Sequence, residues 1–100
     1  MIVEVFANDE AGYRQWMQSH PQGFVLVSWN PPRPEYITVH RADCHCINPQ
    51  KATHKIHWTQ SYIKVCATSQ EKLHDWVDTK WGSGVAFIHT CGHCRKAGRI

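Results

Sequence analysis

Five short stretches of the chain carry the apolar patterns that are typical of β-strands. Apolar and polar residues alternate in residues 2–6, and residues 24–29, 36–40, 62–66 and 85–89 are rich in β-branched and aromatic side chains. Pro31, Pro32 and Pro34 lack the amide donor that a sheet ladder needs. The strands on either side of them are therefore predicted to form a hairpin with a proline-rich tip.

Two further stretches repeat their apolar residues at the spacing of an α-helix. In the first, Tyr13, Trp16, Met17 and His20 fall on one face, which we expect to pack into the core. Asn8 is predicted to cap this helix, because the two carboxylates that follow it favour the positive end of the helix dipole.

The second helix is predicted to begin at a capping box formed by Thr68 and Glu71 and to run to about residue 81. Leu73, Trp76 and Val77 give its apolar stripe. Residues 41–60 show no periodic pattern, so we expect a long loop there. Strands with two interspersed helices predict an α+β domain with a small, mostly antiparallel sheet.

Length and composition limit the classes of function that need to be considered. The 100 residues suffice for one modest core, and we expect residues 1–100 to form a single domain. No apolar run is long enough to cross a membrane, and the first residues lack the pattern of a secretory signal. We therefore expect a cytoplasmic protein with reduced cysteines. The net charge of +3 permits a nucleic-acid partner without requiring one.

Two short pairs of metal-binding residues, far apart in the chain, predict a tetrahedral zinc site. Cys91 and Cys94 form a Cys-x-x-Cys pair, and His40 and Cys44 form a second pair about fifty residues upstream. A closed site of this kind would stabilise a small domain as a structural zinc. Other residues compete for the same positions, and they are His45, Cys46, His89 and His93.

Enzymatic alternatives fit the sequence less well, and we expect no catalytic residues. The Cys-Gly-His-Cys tetrapeptide also occurs in disulfide isomerases, but only six residues follow Cys94 here and we expect no thioredoxin-like surroundings. Zinc deaminases need a His-x-Glu and a proline before the first cysteine, and Thr90 occupies that position. A catalytic zinc with an open position is disfavoured by the thiolate charge. Cys66 lies in an apolar run and is predicted to be a buried, inert thiol.

Basic and aromatic residues suggest a surface that binds nucleic acid, DNA rather than RNA. Cations would neutralise phosphates while a flat ring stacks on a base. The candidate residues are Arg33, Arg41, Lys51, Lys55, Trp58, Arg95, Lys96 and Arg99. The alternative is a zinc-stabilised domain that binds another protein through Trp29 and the proline-rich tip.

From about Tyr13 onward, the chain resembles a small zinc-binding module of bacterial proteins of unassigned role. The motifs that carry the resemblance are Gly23-Phe24-Val25-Leu26, Tyr36, His40-Arg41-Ala42-x-Cys44, Tyr62-x-Lys64-x-Cys66 and Cys91-x-x-Cys94. Such modules are associated with nucleases of the HNH and restriction types, which implies a role in reading DNA, including modified DNA, within a larger nuclease or defence protein. Val27 stands where the module has an asparagine, and the tip at residues 30–34 is particular to this chain.

Overall fold

The structure, a computed structural model, describes residues 3–33, 36–44, 47–48 and 59–82, and the backbone of residues 88–90. The described elements are β1 (Glu4–Phe6), α1 (Glu10–Ser19), β2 (Phe24–Trp29), β3 (Ile37–Arg41), β4 (Tyr62–Ala67), α2 (Gln70–Trp81) and β5 (Ile88–Thr90). The predicted α+β class is confirmed. The third predicted strand begins and ends one residue later than expected. The last one is described only over Ile88–Thr90, because residues 83–87 lie outside the described ranges.

The five strands form one sheet in the order β1-β4-β2-β3-β5. Neighbouring strands among the first four pair antiparallel, as the sequence predicted, and the hairpin between β2 and β3 is confirmed. In contrast, β5 pairs parallel with β3, so that Val39 lies opposite Thr90. No helix in the described part of the chain is long and apolar enough to span a membrane.

One face of the sheet packs against α1. Tyr13, Trp16 and Met17 are the buried residues of this helix, which confirms these members of the predicted apolar face, whereas His20 follows the helix and is half-buried. They belong to one cluster with Val25 of β2 and Cys66 of β4, which share a face because they are paired in the ladder.

The opposite face packs against α2. Leu73 and Val77 are buried there in a second cluster, together with Leu26, Val39 and Val65. Successive residues of a strand point to opposite faces, so β2 supplies Val25 to one layer and Leu26 to the other. The sheet is thus covered by one helix on each side.

Both helices begin one residue later than the sequence predicted. The N-cap of α1 is Asp9, whose carboxylate accepts the amide of Gly12 at 3.0 Å, and not Asn8, which has φ +55°. The N-cap of α2 is Ser69, not Thr68. Two adjacent residues could cap each helix, and at α1 the left-handed conformation of Asn8 leaves Asp9 as the cap.

Candidate metal centre and aromatic surface

His40 lies near the end of β3, as predicted, and its side chain is only 8% exposed. It is paired in the ladder with Val25, so it belongs to the face covered by α1. The amide of Ala42 donates to the carbonyl of Gly23 at 2.9 Å, which extends the β2–β3 pairing, and the chain turns at Ala42 and Asp43. His40 is thus carried by a strand that is hydrogen-bonded to β2, next to the core.

Cys44 follows at the end of the turn and is 6% exposed, within the cluster on the α1 face. Its amide donates to the carbonyl of Arg41 at 3.0 Å, and its own carbonyl accepts the amides of Ile47 and Asn48 at 3.1 and 2.9 Å. The Asn48 side chain also donates to the carbonyl of Ala42 at 2.8 Å. These bonds hold the thiol-bearing residue in a fixed turn, which is the local arrangement that a chelating pair needs.

The second predicted pair, Cys91 and Cys94, lies outside the described residues, as do the alternatives His45, Cys46 and His93. Within the described ranges, no three His, Cys, Asp or Glu side chains form a group able to hold a metal. The four-ligand set therefore stays a prediction. What the structure adds is the course of β5, which runs beside β3 in the same direction and ends at Thr90, level with Val39.

Cys66 is fully buried near the end of β4, which confirms that the thiol is buried as predicted. Burial raises the pKa of this thiol far above its ordinary value, and the nearby carboxylate of Glu4 raises it further. The ammonium of Lys64 acts in the opposite direction and does not offset burial. Because the thiolate is the reactive form, this upward shift of the pKa disfavours reaction at Cys66.

Two of the predicted nucleic-acid-binding residues lie in the described ranges, at opposite ends of the β2–β3 hairpin. Arg33 is exposed at the tip. Arg41 is half-buried at the end of β3, and its guanidinium carbon lies 5.1 Å from the ring centroid of Phe24. The structure does not bring these two together. The remaining candidates lie outside the described residues and are Lys51, Lys55, Trp58, Arg95, Lys96 and Arg99.

On each side of segment 49–58, a described residue is hydrogen-bonded to a side chain of α1. On one side, the buried hydroxyl of Tyr13 donates to the carbonyl of Ile47 at 2.5 Å. On the other side, the carboxylate of Glu10 accepts the amide and the hydroxyl of Thr59 at 2.6 and 2.5 Å. Lys51, Lys55 and Trp58 therefore belong to a segment whose attachment points are set by α1.

Sequence reasoning missed an aromatic surface at the tip end of the sheet, which we define as Trp29, Tyr36 and Tyr62. Trp29 and Tyr36 are stacked with ring centroids 5.6 Å apart and planes at 15°, and Tyr36 lies 5.8 Å from Tyr62 at a tilt of 52°. Trp29 is 42% exposed and Tyr62 37%. The ladder pairs Trp29 with Tyr62 across β2 and β4. The signal in the sequence was one aromatic residue at the tip end of each of three strand segments, namely Trp29, Tyr36 and Tyr62. Whether these three side chains become neighbours depends on the register of the strands.

Lys64 connects the aromatic surface to the core beneath α1. This residue is 2% exposed, and its ammonium lies 5.6 Å from the ring centroid of Tyr62 and 5.9 Å from that of Tyr13. A cation held between two aromatic rings is stabilised by their electron-rich faces.

Comparison of the chain with protein-family models, with curated proteins and with solved structures found no match.

Proposed function

We propose that this chain is a zinc-stabilised module that binds nucleic acid, with His40, Cys44, Cys91 and Cys94 as the zinc ligands. The observation that carries the proposal is the parallel pairing of β5 with β3. Thr90 lies opposite Val39, and Cys91 is the next residue after Thr90, about 3.8 Å further along the chain. This connection supports a second chelating pair close to the end of β3, which carries His40.

The donor set fits zinc. Imidazole and thiolate are the ligands that structural zinc sites use, and two short pairs brought together by the fold are their usual arrangement. His40 comes from a rigid strand and Cys44 from a turn with its backbone groups hydrogen-bonded. In such a closed site the metal contributes folding energy and not chemistry, because no ligand position stays open for a substrate.

The same arrangement would gather positive charge. Arg41 lies between the two ligands of the first pair, and Arg95, Lys96 and Arg99 follow the second pair closely in sequence. A metal that joins the pairs would hold these cations near one edge of the sheet. Clustered cations bind phosphates and release counterions, so we propose DNA as the partner and the zinc-bearing edge as the contact.

The zinc part of the proposal is tested by metal content. Purified wild-type protein is expected to carry one zinc per chain by elemental analysis, and Cys44→Ser or Cys91→Ser should lose it or unfold. Cys66→Ser is the matched control, since Cys66 lies two strands from His40 with Val25 between them in the ladder, and it should retain the metal. Loss of zinc from Cys66→Ser with retention in Cys44→Ser would show that the ligands are assigned wrongly.

The binding part is tested by titrating DNA against the zinc-loaded protein at several salt concentrations. Affinity should fall steeply with salt, and Arg95→Gln or Lys55→Gln should weaken binding and reduce the salt slope by about one each. Lys80→Gln is the control, because Lys80 lies on α2 beside Trp76 and Trp81. Absence of DNA binding by the wild type, even at low salt, would refute this function.

A second candidate function, binding of another protein, is favoured by the exposure of Trp29, which is 42%. Exposed tryptophans are common at the centre of protein interfaces. This candidate predicts an association that is insensitive to salt, is abolished by Trp29→Ala and is unchanged by Arg95→Gln. The DNA-binding proposal predicts the opposite response to salt and to Arg95→Gln.

A further inference from the structure

The aromatic surface, Trp29, Tyr36 and Tyr62, has a geometry suited to stacking. Its rings come from the ends of neighbouring strands, and the outermost two are 42% and 37% exposed. Trp29 and Tyr36 lie nearly parallel at 15°. A flat, exposed ring beside others of its kind gives one or more bases a face on which to stack, whatever the base sequence.

The backbone around these rings is already ordered by hydrogen bonds. The hydroxyl of Ser28 donates to the carbonyl of Arg33 and accepts its amide, both at 3.1 Å. The amide of Asn30 donates to the carbonyl of Ser61 at 3.2 Å, and its side chain donates to that of Gln60 at 2.8 Å. A surface that is held in place before binding loses little conformational entropy when a ligand arrives.

The charges near the aromatic surface complement a polyanion. Among the described residues 28–33, 36–38 and 60–64, the charged side chains are Arg33 and Lys64, and the carboxylate of Glu10 lies next to this range, where it accepts hydrogen bonds from Thr59. Arg33 is exposed at the tip, where a phosphate can reach it, whereas Lys64 is 2% exposed beneath the ring of Tyr62. Aromatic faces bordered by positive charge are the combination by which proteins bind unpaired nucleic-acid strands.

We infer that the aromatic surface binds unpaired bases, so that the ligand of the proposed nucleic-acid-binding module is a single strand. This inference rests on the proposed function and narrows its substrate class. Bases in a duplex are stacked on one another and offer their faces only when they are flipped out or unpaired. The aromatic surface and the zinc-bearing edge lie at opposite ends of β3, which spans roughly 13 Å from its first to its last residue. A strand of a few nucleotides can reach both.

The test measures the affinity of zinc-loaded protein for three labelled probes by fluorescence anisotropy. The probes are a single-stranded thymidine oligonucleotide, a duplex of the same length, and an abasic strand that has the same phosphates but no bases. Wild-type protein should prefer the thymidine strand. Trp29→Ala should weaken binding of that strand by about 5- to 100-fold, and Trp29→Phe, which keeps a ring, should lose less.

Two controls separate stacking from folding and from charge. Trp29→Ala and wild type should bind the abasic strand equally, since that probe has no base to stack. Tyr62→Ala, on the neighbouring strand, is a second variant that should reproduce the loss. Val5→Ala removes an exposed apolar side chain from β1, which is paired with the opposite edge of β4, and should change nothing.

The outcomes distinguish the inference from the proposed function. If wild type binds none of the probes, the nucleic-acid function itself fails. If wild type binds the thymidine strand and both Trp29→Ala and Tyr62→Ala bind it as tightly, the function stands and the stacking inference is overturned. A preference of wild type for the duplex would overturn it as well.

Discussion

Replacement of Tyr13 by Phe tests how firmly α1 holds the turn that carries Cys44. Tyr13 is fully buried, and its hydroxyl donates to the carbonyl of Ile47, three residues after Cys44. Burial raises the pKa of this phenol well above 10.0, so the hydroxyl keeps its proton and remains a donor across the working pH range. Phe retains the ring and its packing near Phe6, where the ring centroids lie 6.1 Å apart. The substitution therefore removes the hydroxyl and its hydrogen bond to Ile47 while the ring stays in place.

The expected cost follows from the acceptor that is left behind. A buried group that loses its partner costs about 1–3 kcal/mol, so Tyr13→Phe should lower the free energy of unfolding by that amount. For a domain of this size each kcal/mol corresponds to a fall in Tm of about 4–8 °C. Denaturation by guanidinium, followed by circular dichroism, measures the change.

Tyr62→Phe is the matched control for this experiment. Tyr62 is 37% exposed, and loss of its hydroxyl should change stability by less than about 0.5 kcal/mol. Equal stability of Tyr13→Phe and wild type would refute the reasoning. It would mean that α1 does not fix the turn through this hydroxyl.

Two further predictions concern the core. Gly23→Ala should lower the free energy of unfolding by about 1–3 kcal/mol in thermal denaturation, because a Cβ there would lie 2.6 Å from the buried ring of Trp16 and 3.1 Å from the carbonyl of Ala67. Ser19→Ala, at an exposed position, is the control, and an equal loss of stability in both variants would contradict this packing. Because the pKa of the Cys66 thiol is raised in the folded state, the folded protein keeps this proton at pH values at which the unfolded chain releases it. Stability should therefore fall as pH rises above about 9, by at most about 1.4 kcal/mol per pH unit from this group, and Cys66→Ser should flatten the fall.

Local patterns predicted the elements that depend on local sequence. β2 was predicted with its observed bounds, because an apolar run lies between a glycine and a proline-rich tip that mark its ends. The caps of both helices were wrong by one residue, since Asn8 and Asp9, like Thr68 and Ser69, are chemically interchangeable as caps. The positive φ of Asn8 places the chain so that Asp9 becomes the cap, and φ is not encoded in residue type alone.

Features that depend on long-range pairing could not be predicted. The parallel alignment of β5 with β3 joins residues about fifty positions apart, and no local signal specifies it. The aromatic surface depends on the register that pairs Trp29 with Tyr62, because a shift by one residue would turn one ring to the other face. The residue types of the first proposed pair of zinc ligands, His40 and Cys44, were readable from the sequence, whereas their burial beside α1 required the fold.

The most direct test of the central claim is X-ray absorption spectroscopy at the zinc edge of the purified protein. A site formed by His40, Cys44, Cys91 and Cys94 predicts four-coordinate zinc with three sulfur ligands at about 2.3 Å and one nitrogen at about 2.0–2.1 Å. Four sulfur ligands would show that a cysteine such as Cys46 replaces His40. A site dominated by nitrogen and oxygen, or a protein that retains no zinc, would contradict the account.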